Sequence, residues 1–225
     1  MALRGLSLRV ERATTVALLG PSGCGKTTTL KLINRLAAPT AGTVLVNGED
    51  VAGVDPIQLR RGIGYVVQEA GLFPHLTARQ NAEVVPGLLG WAPLRRQQRT
   101  AELFELLGLD LATLGARYPL ELSGGQRQRV GLARALAADP PLVLMDEPFG
   151  ALDPLTRRRL QREFLALKAR LCKTVVLVTH DVDEAFLLAD RVAVLADGAL
   201  VQFATPDEIR AAPASDFVAS FLGVG

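Results

Sequence analysis

The sequence is short of cysteine, histidine and long hydrophobic runs, and each shortage excludes a class of protein. Its two cysteines, Cys24 and Cys172, are too few for a disulfide framework or a cysteine-based metal cluster. The two histidines, His75 and His180, lie far apart, which argues against a histidine-based metal site. No apolar run approaches the ~18 residues of a membrane span, and residues 1–12 lack the apolar core of a signal peptide. The sequence therefore predicts a chain that does not cross a bilayer by itself and belongs in a reducing, cytoplasmic compartment.

An excess of charge of one sign is also lacking. The chain has 25 basic and 23 acidic residues, a net charge of +2, which gives no electrostatic case for nucleic acid as a partner. Apolar residues make up 49% of its 225 residues and charged residues are mixed among them, which excludes a disordered or fibrous protein. At ~100–200 residues per domain, the length predicts one large domain, or one domain with a helical insert.

Apolar, β-branched runs alternate with helical patterns along most of the chain. Such strands, separated by helices, predict an α/β fold with a mainly parallel sheet that is covered on both faces. From 77 to 114 the strand signals thin out, so this stretch is predicted to be helical. An Asp197-Gly198 turn predicts one antiparallel hairpin. The predicted strands are 15–19, 43–46, 64–67, 142–145, 174–179, 191–196 and 199–203, and the predicted helices are 25–36, 123–138, 154–171 and a short one from Thr205.

A glycine-rich loop between the first strand and the first helix fits the phosphate-loop pattern G-x-x-x-x-G-K-[ST] at every fixed position. Its glycines let the backbone wrap a phosphate, and its N–H groups and the helix N-terminus point at the anion. Lys26 supplies a positive charge for the outer phosphates, and Thr27 supplies a hydroxyl for Mg²⁺. The alternative is a glycine-rich turn with a chance Lys-Thr, which the strand before and the helix after disfavour. The predicted nucleotide-binding residues are Gly20, Pro21, Ser22, Gly23, Cys24, Gly25, Lys26, Thr27 and Thr28.

Two adjacent carboxylates, Asp146 and Glu147, follow the buried run 142–145. A buried strand should not end in two acids unless they serve a cation or a proton transfer. Successive strand residues point to opposite faces, so the two should play different parts. We assign Asp146 to the magnesium shell beside Thr27, and Glu147 to polarising the water that attacks the γ-phosphate. The alternative, for the pair alone, is a helix cap at a strand–helix junction.

A second glycine pair, in Ser123-Gly124-Gly125-Gln126, begins another predicted helix and forms another anion site at a helix N-terminus. The alternative is a serine N-cap with glycines for close packing. This helix has no lysine and no metal-binding acid of its own, which indicates that it serves the nucleotide of a neighbouring chain. A closed two-fold dimer would then hold two nucleotides in its interface.

Two further polar residues follow predicted strands. Gln68 could reach Mg²⁺ or the attacking water, although an isolated glutamine is by default a surface residue. His180 ends the strand 174–179 and is placed to reach a γ-phosphate if that strand runs parallel to the one that ends at Asp146. Alone, it would more often be an ordinary strand-end histidine.

Taken together, these motifs resemble the ATP-binding subunit of an ABC transporter over almost the whole chain. The resemblance identifies 20–27 with the Walker A loop, Gln68 with the Q-loop, 122–126 with the signature peptide, 142–147 with Walker B and the catalytic glutamate, 151–153 with the D-loop, and His180 with the switch histidine. All six motifs occur in the family's order. The resemblance implies ATP and Mg²⁺ as cofactors.

The resemblance also implies a fold and a set of roles. The fold would be a P-loop NTPase (RecA-like) core with a small antiparallel β-subdomain and a helical subdomain inserted at roughly 77–138, within a single ATPase domain of residues 1–225. The implied catalytic residues are Glu147, His180, Gln68 and Lys26, and the implied metal ligands are Thr27, Gln68 and Asp146. In an ATP-dependent, head-to-tail homodimer, the nucleotide sites would also involve Ser123, Gly124, Gly125, Gln126 and Asp153.

Four segments have a narrower resemblance, to subunits that power the import of quaternary-amine osmoprotectants such as glycine betaine, carnitine, choline or proline. These segments are 55–61, 63–68, 71–76 and 85–91. The resemblance implies transmembrane permease subunits that contact the region 68–91 and, through them, an extracytoplasmic substrate-binding protein. The chain would be peripheral on the inner face of the cell membrane. The alternatives are a different substrate, an exporter, or a soluble ABC ATPase acting in DNA repair or on ribosomes.

The sequence departs from the family in two places. Members usually have an aromatic residue ahead of Walker A that stacks on adenine, whereas the first aromatic residue here is Tyr65. We therefore expect weaker selectivity for adenine. Many osmoprotectant ATPases continue into paired CBS modules, and the sequence given ends at Gly225, so no C-terminal regulatory module is expected.

Overall fold

The computed structural model describes residues 3–68 and 70–223. The two ends of the predicted domain, 1–2 and 224–225, lie outside the described residues. The chain divides into two compact units, one formed by 1–60 with 172–225 and the other by 61–171. That all 225 residues form one domain with an inserted helical part stays a prediction.

The described residues form eight strands and ten α-helices, which alternate along much of the chain. The strands are β1 (Thr15–Leu19), β2 (Leu45–Val46), β3 (Glu49–Asp50), β4 (Ile63–Val66), β5 (Leu142–Asp146), β6 (Thr174–Val178), β7 (Arg191–Ala196) and β8 (Ala199–Ala204). The helices are α1 (Lys26–Ile33), α2 (Pro56–Arg61), α3 (Ala78–Leu88), α4 (Pro93–Leu106), α5 (Leu111–Leu114), α6 (Gly124–Leu136), α7 (Pro154–Leu171), α8 (Val182–Leu188), α9 (Pro206–Ala211) and α10 (Asp216–Leu222).

In the first unit, β1 is an inner strand of the order β6-β1-β7-β8. It pairs in parallel with β6 and β7, whereas β8 runs antiparallel to β7. All five residues of β1 are buried, as expected of a continuous apolar run in a parallel strand that is covered on both faces. On one of these faces, Ala17 and Leu19 share a core with Ala185, Ile209 and Val218 of α8, α9 and α10. The end of this buried strand leads into the glycine-rich loop.

A two-stranded antiparallel sheet, formed by β2 and β3, lies in the same unit. Its turn is Asn47-Gly48, and both residues have positive φ (54° and 87°), the backbone that a tight hairpin requires. The predicted strand 43–46 is shorter in the structure, because β2 contains two residues and Leu45 is 61% exposed. The small antiparallel sheet implied by the resemblance is present, although it is minimal.

In the second unit, β4 pairs in parallel with β5, and Val66 lies opposite Met145. Helix α6 approaches β4 so closely that a Cβ atom on Gly64 would lie 2.5 Å from the carbonyl oxygen of Ala135. Helices α3 and α4 pack against α6. The range 77–138, described throughout, contains helices and no strand, which agrees with the helical patterns predicted at 77–114 and 123–138.

The strand pairings confirm the predicted α/β class, with parallel pairs for β1, β4, β5, β6 and β7 and antiparallel pairs in the two hairpins. The predicted helix 154–171 agrees with α7 at both ends. The predicted helix 25–36 is too long, because Asn34 caps α1 and Arg35 turns the chain with a φ of 54°. No helix in the described part of the chain is both long and apolar enough to span a membrane.

Candidate nucleotide-binding site

The phosphate loop connects β1 to α1 in the first unit, and its course depends on a close approach at Gly20. A Cβ atom on Gly20 would lie 2.1 Å from the carbonyl oxygen of Leu195 and 2.9 Å from Cys24 Sγ. Since real side chains do not tolerate such distances, only glycine allows the loop to pass this close to the end of β7. Cys24 is buried beneath the loop, whereas Pro21 and Ser22 are exposed.

Lys26 is buried, with 6% of its surface exposed, and the loop curls around its ammonium group. Nζ donates hydrogen bonds to the carbonyl oxygens of Gly20 (2.6 Å) and Pro21 (2.8 Å) and lies 3.8 Å from Cys24 Sγ. In the described part of the chain, no carboxylate forms an ion pair with Lys26. A buried cation with neutral partners is costly unless an anion joins it, so this loop fits a phosphate group.

The first turn of α1 supplies hydroxyl groups. Thr27 and Thr28 are half-buried, and the Thr29 hydroxyl donates to the carbonyl oxygen of Gly25 (3.0 Å). An open cavity of about 520 Å³ lies beside the loop, within the size range of small-molecule sites. Its walls are Pro21, Ser22, Gly23, Cys24, Ala196, Asp197, Val201, Ser215 and Phe217.

His180 lies in the same unit and at the same edge of the sheet as the loop. β6 runs parallel to β1 with Val178 opposite Leu18, and the N–H of Thr179 donates to the carbonyl oxygen of Leu18 (3.2 Å). His180 follows directly and is exposed. The register with β1 therefore brings this histidine beside the start of the phosphate loop, whereas its expected reach to a γ-phosphate stays a prediction.

In the second unit, Asp146 and Glu147 come at the end of β5 and are half-buried. The pKa of Tyr65, on the neighbouring strand, is raised first by burial and then by the negative charge of Asp146. Glu147 has a left-handed backbone, with a φ of 45°, which is uncommon outside glycine and typical of strained functional positions. The argument from strand alternation is therefore wrong at Glu147, because the strand ends at Asp146 and a turn directs the next side chain.

Gln68 is exposed and lies two residues after β4. Because β4 and β5 are parallel neighbours, their carboxyl ends share one edge. The second unit thus brings Gln68 to the edge that carries Asp146 and Glu147. The carboxylate of Asp146 is an oxygen donor of the kind that magnesium sites use. That Asp146 holds Mg²⁺ together with Thr27 and Gln68 stays a prediction.

The signature peptide begins α6 with a capping box. The Ser123 Oγ atom accepts from the N–H of Gln126 (3.3 Å), and Oε1 of Gln126 accepts from the N–H of Ser123 (2.8 Å). The alternative of a serine N-cap is thus confirmed as a structural role. Ser123 and Gly124 are exposed, so the first turn of this 13-residue helix is open to a ligand; that it binds an anion stays a prediction.

Asp153 also has a structural role that the sequence did not reveal. Its Oδ1 atom accepts from the N–H of Thr156 (3.0 Å) at the start of α7, and hydrogen bonding by Thr156 lowers the pKa of the Asp153 carboxyl. Arg157 donates to the carbonyl oxygens of Phe149 (3.2 Å) and Leu152 (3.1 Å). The loop between β5 and α7 is therefore fixed from the first turn of α7.

Residues 3–150 match the family described as ABC transporter. The chain is 54% identical over 222 residues to the osmoprotectant import ATP-binding protein OsmV of Salmonella typhimurium (strain LT2), covering 99% of this chain and 58% of that protein. It is 48% identical over 222 residues to the glycine betaine uptake system ATP-binding protein YehX of Escherichia coli (strain K12), covering 99% of this chain and 72% of that protein.

Among solved structures, the chain is similar to the ATP-binding cassette MJ0796, whose dimeric structure represents a post-hydrolysis state bound to ADP and Pi. The TM-score is 0.80 and the sequence identity 35%, over 91% of this chain and 90% of that one. This similarity confirms the predicted P-loop NTPase fold. The chain spans somewhat more than half the length of OsmV, the first curated relative named above.

Proposed function

Because the chain belongs to the ABC transporter family, we propose that it is the ATP-hydrolysing motor of an importer for a small solute, a quaternary-amine osmoprotectant. The observation that carries the ATPase part of the proposal is Lys26. Its ammonium group is buried in a loop of backbone carbonyls, with no carboxylate paired to it in the described residues. A triphosphate supplies the missing negative charge.

Each predicted site residue receives a role. The loop from Gly20 to Thr28 binds the phosphates of ATP, with Lys26 on the outer ones. Thr27, Asp146 and Gln68 hold Mg²⁺, which, when bound, neutralises charge on the phosphates. Glu147 accepts a proton from the attacking water, and His180 donates to the γ-phosphate.

The signature peptide acts on the nucleotide of a second copy of this chain. Its first turn carries Ser123, Gly124 and Gly125 at a helix N-terminus, where N–H groups favour an anion. Gln126 holds this turn through its capping box. Asp153, at the start of α7, joins the same interface. ATP therefore holds the homodimer together, and the dimeric structure of MJ0796 bound to ADP and Pi is a precedent for a dimer with nucleotide bound.

The substrate and the partners follow from the relatives. OsmV and YehX are named for osmoprotectant import and glycine betaine uptake. We extend this activity to the present chain, together with permease subunits in the membrane and an extracytoplasmic substrate-binding protein. The chain itself is placed on the inner face of the cell membrane.

Two measurements test the proposal. Purified chain should release phosphate from ATP in the presence of Mg²⁺, and Glu147→Gln should not. Cells in which the gene is deleted should lose uptake of radiolabelled glycine betaine, and the wild-type gene, but not the Glu147→Gln gene, should restore it. If the purified chain releases phosphate but the deletion strain takes up glycine betaine normally, the proposed ATPase activity would stand and the proposed substrate would be wrong. Absence of any ATP hydrolysis would overturn the motor.

A further inference from the structure

The segment that follows Gln68 is bound to α6 by one arginine. Arg134 donates from its two terminal nitrogens to the carbonyl oxygens of Gly71 (2.7 Å) and Ala70 (2.8 Å). Ala70 and Gly71 both have positive φ (64° and 48°), a backbone that alanine rarely adopts. The two carbonyl oxygens of this turn are the ones that Arg134 binds.

Arg134 is partly buried, and the groups that it contacts are neutral. Its guanidinium lies 5.6 Å from the ring centre of Phe73, and burial lowers its pKa from the ordinary value. In the described residues it has no carboxylate partner. Burial of a charged group costs free energy, so Arg134 need not stabilise the fold much. Its guanidinium is planar, however, and two parallel hydrogen bonds from such a group fix the geometry of a turn well.

A second side chain, Asn81 of α3, binds the next part of the segment. Oδ1 of Asn81 accepts from the N–H of Phe73 (2.8 Å), while Nδ2 donates to the carbonyl oxygens of Phe73 (3.1 Å) and Leu76 (2.9 Å). Asn81 is fully buried. The Asn81 amide therefore fixes the backbone of 73–76, as Arg134 fixes the turn of Ala70 and Gly71.

The packing of α6 leaves no space between the helix and this segment. Gly131 lies one helical turn before Arg134, and a Cβ atom on Gly131 would lie 3.0 Å from the Cβ atom of Ala70. β4 ends at Val66, and the bound segment begins at Ala70. Gln68 thus lies on the short link between a strand and a segment that α6 and α3 hold.

We propose that Arg134 and Asn81 are positioning residues that set the place of Gln68 and join it mechanically to α6. This inference rests on the proposed role of Gln68 at the Mg²⁺ ion and the attacking water. The same helix begins at the signature peptide, about ten residues and ~15 Å from Arg134 at 1.5 Å per residue. Any rotation of α6 on closing against a second copy would therefore move Gln68.

The principal variant is Arg134→Lys, which keeps the positive charge and loses the two-pronged hydrogen bonding. We expect its affinity for ATP, measured without Mg²⁺, to stay within about twofold of the wild-type value, because the phosphate loop is untouched. Its kcat should fall roughly 10- to 100-fold, since misplacement of a positioning group by about 1 Å has that effect. Asn81→Asp turns a donor to carbonyl oxygens into an acceptor. This variant should likewise keep its affinity for ATP and lose kcat.

Arg129→Lys is the matched control on the same helix. Arg129 donates to Glu163 (2.9 Å) and does not contact the segment after Gln68 among the described residues. It should lose stability as Arg134→Lys does, but keep its kcat. An equal loss of kcat in both variants would reduce Arg134 to a stabilising residue of α6 and overturn the proposal.

A double-mutant cycle with Gln68→Ala gives the decisive readout. If Arg134 acts through Gln68, Arg134→Lys should change kcat by less than ~2-fold in the Gln68→Ala background. Multiplicative losses would overturn the positioning role while leaving the ATPase function intact, whereas a wild-type chain without ATPase activity would overturn the function on which it rests.

Hydrogen exchange of the nucleotide-free chain provides a readout besides activity. Amides of 70–76 should exchange faster in Arg134→Lys, and the Phe73 amide should exchange faster in Asn81→Asp, with β4 unchanged. Unchanged exchange in this segment would contradict the proposal, because the two side chains would then not hold it.

Discussion

The ammonium group of Lys26 donates a 2.6 Å hydrogen bond to the carbonyl oxygen of Gly20, the first residue of its own loop. The contact curls the loop around the cation, and the carbonyl oxygen of Pro21 is a second acceptor. A phosphate in this loop would bind the ammonium group through charge-assisted hydrogen bonds, which are about twice as strong as neutral ones.

Lys26→Met should therefore retain the fold and lose nucleotide affinity. Removing one partner of a buried charged hydrogen bond costs about 2–5 kcal/mol, which corresponds to roughly 30- to 4,000-fold in the Kd for ATP. Calorimetric titration with ATP measures this loss. Lys31→Met, an exposed lysine later in α1, is the control and should bind normally. Equal affinities for Lys26→Met and the wild-type chain would remove Lys26 from the phosphate site.

Glu147→Gln should bind ATP normally and lose almost all hydrolysis. The substitution keeps the size and the left-handed backbone of Glu147 but removes the carboxylate that accepts a proton, and general bases contribute about 10²–10⁴-fold in rate. Phosphate release under single-turnover conditions is the measurement, with the exposed Glu102→Gln as control. The variant should also accumulate as an ATP-bound dimer. Turnover at the wild-type rate would assign the proton transfer to another group.

Ser123→Arg should block the ATP-dependent dimer and spare nucleotide binding by the monomer. The arginine adds bulk and charge at an exposed position where the backbone must approach the γ-phosphate of a second copy. The variant also breaks a capping box, so the control is Thr205→Arg, which breaks the equivalent box at the start of α9. Light scattering with ATP should show a dimer for the control alone. A dimer in both variants would exclude the signature peptide from the interface.

The strands and the helix that bear the motifs could be predicted from the sequence, because their patterns are local. The five residues of β1 form one apolar, β-branched run, and the run is buried throughout. α7 begins at a proline and keeps a helical apolar stripe to its end at Leu171. A pattern of this kind needs no knowledge of distant residues.

The contacts that hold the functional loops could not be predicted, because they join residues far apart in sequence. Arg134 reaches a turn 63 residues away. Arg157 is one of several arginines on α7, and nothing in the pattern singles it out as the one that binds the loop from Phe149 to Leu152. The left-handed backbone of Glu147 could not be predicted either, because glutamate is not among the residues typical of turns.

Asp153 should make stability depend on pH in the acid range. Its folded-state pKa is lowered, chiefly by the hydrogen bond from the Thr156 side chain, below the unfolded value of about 3.9. A lowered pKa means that the stabilising contribution is present above the unfolded pKa and is lost as pH falls through the folded one. Asp153→Asn keeps an acceptor at the start of α7 but cannot titrate.

The wild-type chain should therefore unfold at a higher urea concentration than Asp153→Asn at pH 7, and the difference should shrink as the pH falls below about 3.9. Asp110 and Glu208 also have lowered pKa values from hydrogen bonds at helix starts, but both proteins contain them, so their contribution cancels. The effect is expected to be modest, because the Asp153 carboxyl is exposed to solvent and water screens it. A difference that stays constant from pH 7 to pH 3 would show that the charge of Asp153 adds nothing to its cap.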